Sequence, residues 1–102
     1  EDRKIAAVTI HAEAGFTEIR SCLDAMMKSV GHDFHIKQGD HPSFLPGRCG
    51  AVFSGSREIG IIGEFNPIVL QSFGLKLPAA AFELDMPREL NPYTIAHEGP
   101  LR

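Results

Sequence analysis

Apolar residues recur at helical spacing between positions 19 and 30. They lie at i, i+3, i+4, i+7, i+8 and i+11, and are Ile19, Cys22, Leu23, Met26, Met27 and Val30. This spacing predicts an amphipathic helix that buries one apolar stripe on a sheet. We expect Thr17 to be its N-cap, because a threonine hydroxyl accepts hydrogen bonds from first-turn amides. Gly31 follows the stripe and predicts the end of the helix at C′.

Alternating apolar and polar positions predict strands on both sides of this helix. Residues 4 to 10 are rich in β-branched side chains, and residues 32 to 38 are a weaker strand candidate. Residues 48 to 53 and 58 to 64 predict an antiparallel hairpin whose loop is longer than two residues. Residues 78 to 86 predict a last strand with two distinct faces. One face carries Ala80, Phe82, Leu84 and Met86, and the other carries Ala81, Glu83 and Asp85.

A second, short helix is predicted between the hairpin and the last strand. Asn66 is an expected N-cap, Pro67 suits the first helical position, and Gly74 ends the segment. The order strand, helix, strand, strand, strand, helix, strand predicts an α+β fold, an antiparallel sheet with helices on one face. The apolar pattern ends at Met86. We therefore expect a domain at residues 1 to 86 and an extended tail at residues 87 to 102, which contain three of the seven prolines.

Composition limits the classes of function. The chain has 102 residues, 43% of them hydrophobic, and a net charge of −3. These values predict one soluble domain, and the scattered basic residues do not favour independent nucleic-acid binding. No apolar run approaches the roughly 20 residues that span a bilayer, so we expect no membrane partner and a cytoplasmic location. Cys22 and Cys49 are expected to be buried free thiols. The chain starts at Glu1 without a methionine, and we expect it to be a fragment.

Three residue groups are candidates for chemistry, and each has a simpler explanation. The possible metal ligands are His32, His35, Asp40 and His41; the possible acid–base group is His11, Glu13 and Glu64; the possible phosphate loop is Gly60 to Gly63. Residues three apart on a strand point to opposite faces, which separates the first two histidines. The acid–base group lacks a nucleophile. The glycines lie inside a predicted strand, where close packing or a bulge explains them. We therefore predict no metal site and no catalytic residue.

Several short motifs along residues 4 to 86 resemble one protein family. They are Lys4 to Val8, Gly15 to Ile19, a His41-Pro42 loop that runs through Pro46-Gly47-Arg48 into a strand, and Gly60-Ile61-Ile62-Gly63-Glu64-Phe65-Asn66-Pro67. Their order is similar to that in the closing part of the catalytic-like module of the phenylalanyl-tRNA synthetase beta subunit. The sequence departs from that pattern where Phe65 and Asn66 replace an aliphatic residue and a histidine. The resemblance implies part of a class II synthetase-like sheet.

The catalytic alpha subunit of that enzyme offers a second comparison. Its last strand ends in Gly-x-Gly-x-Glu-Arg, where the glycines leave room for ATP and the arginine contacts phosphate. The corresponding positions here are Glu83, Asp85 and Arg88. Two carboxylates would repel a triphosphate and fill the space beside the purine. The resemblance therefore implies a degenerate nucleotide site and no cofactor in this chain, with ATP and magnesium bound by the alpha subunit.

The function implied by the resemblance is structural. We expect a non-catalytic scaffold and subunit-interface segment of a beta chain, in an enzyme of two alpha and two beta chains. Contact with tRNA would occur only through the whole complex, and the isolated segment is expected to self-associate. Two alternatives stay open at this point. One is a stand-alone small-molecule or peptide-binding module of the same fold, and the other is an independent enzyme.

Overall fold

The computed structural model describes residues 3–86, which form two helices and five strands. The elements are β1 (Arg3–Ile10), α1 (Phe16–Ser29), β2 (His35–Gln38), β3 (Phe44–Ser54), β4 (Arg57–Phe65), α2 (Pro67–Ser72) and β5 (Ala79–Met86). The strands form one sheet in the order β1-β5-β4-β3-β2, and every neighbouring pair is antiparallel. The predicted α+β class with an antiparallel sheet is confirmed. The predicted tail and Arg88 lie outside the described residues.

The core lies between α1 and one face of the sheet. From the helix, Ile19, Leu23 and Met27 are fully buried. The buried cluster continues on the sheet with Val52, Ile59, Ile62, Ala80, Phe82 and Leu84. This is the strand face that alternation predicted for β5, because every second side chain of a strand points to the same side.

The predicted stripe of α1 is too wide on one side. Cys22 is exposed, and the prediction that its thiol is buried is wrong. Consecutive helical residues point about 100° apart, so a helix that centres Leu23 on the sheet turns Cys22 towards solvent. Met26 packs at the margin of the core, and Val30, at the C-cap, is half-buried. Cys49 is buried as expected, and its Sγ donates to the Gly39 carbonyl at 2.9 Å.

The two ends of α1 differ in how their backbone groups are bonded. At the C-terminus, Gly31 has φ of +76°, and its amide donates to the Lys28 carbonyl while that of His32 donates to Met27. This is a Schellman cap, for which glycine is the favoured residue. At the N-terminus the prediction of Thr17 as N-cap is wrong. Gly15 occupies that position and supplies no side-chain hydrogen bond.

The β3–β4 hairpin is tighter than predicted. Ser54 pairs with Arg57, so the loop has two residues, Gly55 and Ser56. Gly55 has φ of +63°, which suits the first central position of a type II′ turn. The same pair of strands is irregular at its other end, where Phe44 pairs with Phe65 and Cys49 pairs with Gly63. Residues 45 to 48 therefore bulge out of the ladder.

The two helices differ in how much of the core they form. α1 lies across β1, β4 and β5, whereas α2 continues from the end of β4 and contributes no residue to the core cluster. The Asn66 side chain accepts a hydrogen bond from the Ile68 amide at 2.9 Å, with Pro67 at the first helical position. Gly74, with φ of +74°, ends α2. These local caps bound a six-residue helix in which Leu70 is the buried residue.

Candidate functional site

Glu64 joins three elements at the end of β4. Its Oε2 atom accepts a hydrogen bond from the Phe16 amide at 2.8 Å and another from Arg48 Nη1 at 3.0 Å. The Glu64 side chain is only 15% exposed, whereas that of Arg48 is 63% exposed. The carboxylate thus performs the capping that the sequence assigned to Thr17, and a negative charge at a helix N-terminus is favourable.

The surrounding backbone makes room for this contact. A Cβ atom on Gly15 would lie 3.2 Å from Glu64 Oε2, so a glycine here lets the carboxylate approach the first turn of α1. Gly47 lies in the bulge with φ of +78°, a conformation that favours glycine, and the bulge brings Arg48 to the carboxylate. Residues distant in sequence therefore meet at one point, and they belong to three of the motifs noted above.

The remaining glycines of β4 serve close packing. A Cβ atom on Gly63 would overlap the Phe44 ring and the Cys49 Cβ, and one on Gly60 would overlap the backbone of β5. Both glycines lie inside the strand, as predicted, and not between a strand and a helix as a phosphate loop requires. The Gly60 to Gly63 motif has a structural explanation.

An apolar surface surrounds α2, and we call it the α2 surface. Ile68 is 73% exposed and Phe73 is 76% exposed, and Leu75 and Leu77 are exposed beside them. No charged residue occurs from position 66 to 75. A cleft of about 550 Å³ lies next to this surface; Leu45, Glu64, Leu70, Leu75 and Leu77 line it, among others. Large apolar side chains exposed together on one short segment favour an interaction site.

Sequence comparison with known proteins identifies the family of this chain. The sequence model of the family described as "Phenylalanyl tRNA synthetase beta chain CLM domain" matches residues 1–86. The chain belongs to this family. It is 38% identical over 93 residues to the phenylalanine–tRNA ligase beta subunit of Thermococcus kodakarensis. The aligned segment covers 90% of this chain and 16% of that protein. The beta subunit of Methanocella arvoryzae is 42% identical over 84 residues, or 80% of this chain and 15% of that protein.

The CLM-family match covers the segment in which the motifs lie. The curated relatives are much longer, since this chain spans only about 15% of their length. Within residues 3–86, no helix is long and apolar enough to cross a membrane.

The other candidate residues of this CLM domain are not gathered into a site. Among residues 3–86, no three His, Cys, Asp or Glu side chains come together as a metal site requires. His35 stacks on Phe53 and His41 packs against Phe44. His32 precedes β2, and its buried Nε2 has no hydrogen-bond partner within the described residues.

The proposed acid–base group is also divided. His11 Nε2 contacts Glu18 at 2.7 Å, while Glu64 bonds to Arg48 and the α1 amide. Thr9 donates to the same Glu18 carboxylate at 2.8 Å. The hydrogen bond from Thr9 has the largest effect on the Glu18 carboxyl and lowers its pKa, and the one with His11 lowers the pKa further. The His11–Glu18 contact fastens the end of β1 to the first turn of α1, and sequence spacing offered no signal for it.

Glu83 and Asp85 lie on the sheet face opposite α1. Both are exposed, and in β1 their partners are Ala6 and Lys4. Two carboxylates thus occupy alternate positions on the open face of a central strand.

Proposed function

We propose that this chain is a non-catalytic scaffold and subunit-interface segment of a phenylalanyl-tRNA synthetase beta chain. It would support aminoacylation of tRNA with phenylalanine by the alpha chain, in the cytoplasm. The observation that carries this proposal is the family match across residues 1–86. We further propose that the sheet is part of a class II synthetase-like sheet.

The use of the motif residues supports a structural role. Glu64, Arg48 and Gly15 are engaged in joining β4, the β3 bulge and α1. Glu83 and Asp85 place negative charge where the related alpha-chain motif has glycines, so ATP and magnesium would bind the alpha chain and not this one. tRNA would contact the segment only within the whole enzyme.

The α2 surface is the candidate contact with the alpha chain or with other parts of the beta chain. Interface centres are enriched in aromatic residues and depleted in charge, and this surface presents Phe73 without a charged neighbour from position 66 to 75. A side chain that is 76% exposed contributes little to the fold of the chain, so its replacement tests the interface without unfolding the domain.

The experiment uses a full beta chain that contains this segment, co-expressed with its alpha chain. Phe73→Glu, which adds one negative charge, is compared with Arg20→Glu, a larger charge change on the exposed side of α1. We expect Phe73→Glu to reduce tetramer formation in gel filtration and phenylalanine charging in parallel, and Arg20→Glu to leave both unchanged.

Intact assembly and full charging of the Phe73→Glu enzyme would remove the α2 surface from the interface. The cleft of about 550 Å³ beside α2 would then favour the alternative, a small-molecule or peptide-binding module. Catalytic turnover by the isolated chain would contradict both the scaffold proposal and the binding-module alternative.

A further inference from the structure

We draw no further inference here: the strongest candidate, the cleft of about 550 Å³ beside α2 that Glu64, Leu70 and Lys76 help to line, belongs to the α2 surface already described, and nothing in the structure shows what covers it.

Discussion

Replacement of Glu64 tests whether a carboxylate from β4 secures the first turn of α1. Glu64→Ala removes two hydrogen bonds from one oxygen, to the Phe16 amide and to Arg48. A hydrogen bond to a charged group contributes about 1.5–3 kcal/mol, and the Glu64 carboxylate is mostly buried. The Arg48 pair is solvent-exposed on one side and contributes about 0–1 kcal/mol. We therefore expect Glu64→Ala to lower the free energy of unfolding by about 1.5–4 kcal/mol.

Two further variants separate these contributions. Glu64→Gln keeps a carbonyl acceptor for the Phe16 amide but loses the charge, and charged hydrogen bonds are roughly twice as strong as neutral ones, so it should cost about half as much. Arg48→Ala should cost no more than about 1 kcal/mol. Urea denaturation at neutral pH measures all three. An equal loss for Arg48→Ala and Glu64→Ala would show that the ion pair, and not the helix contact, is what stabilises this site.

Three other measurements follow from the structure. Leu23→Ala should destabilise the chain by about 2–5 kcal/mol and Cys22→Ala by less than about 0.5 in urea denaturation, and equal losses would refute the orientation of α1. Hydrogen bonds from Thr9 and His11 lower the pKa of Glu18 from 4.5, so their stabilisation is present above that pH and is lost as pH falls through the folded pKa. Thr9→Val should reduce this acid sensitivity, and an unchanged pH profile would argue against the contact. Calorimetric titration with ATP and magnesium should detect no binding, because the carboxylates of Glu83 and Asp85 would repel the triphosphate. A dissociation constant of about 1 µM would contradict this.

Features encoded by nearby residues were predictable from the sequence. The apolar stripe of α1 depends on helical periodicity alone, and the Asn66 cap depends on a hydrogen bond to a residue two positions away. Gly31 and Gly74 end their helices with positive φ, which glycine adopts without strain. In each case the determining interaction lies within a few residues, so the pattern contains it.

Features that depend on distant residues were missed. The first turn of α1 is capped by Glu64, 48 residues away from Phe16. Local sequence therefore favoured Thr17 as the cap, although Glu64 already accepts a hydrogen bond from the Phe16 amide. The exposure of Cys22 depends on how α1 is rotated on the sheet, which periodicity fixes only to within the width of the apolar stripe. The short hairpin loop was obscured because Ser54 and Arg57, which flank it as strand residues, resemble loop residues in sequence.

The motif residues and the exposed surfaces therefore have different roles. Gly15, Arg48 and Glu64 form contacts within the chain, so replacing them should act first on stability and only indirectly on any partner. Phe73 is mostly exposed and contributes little to the fold, so replacing it should act on association and leave stability nearly unchanged. A variant set that includes both groups can distinguish loss of function through unfolding from loss of function through a missing interface. If the segment has the structural role proposed above, that distinction is what links a sequence change to its effect on an assembled enzyme.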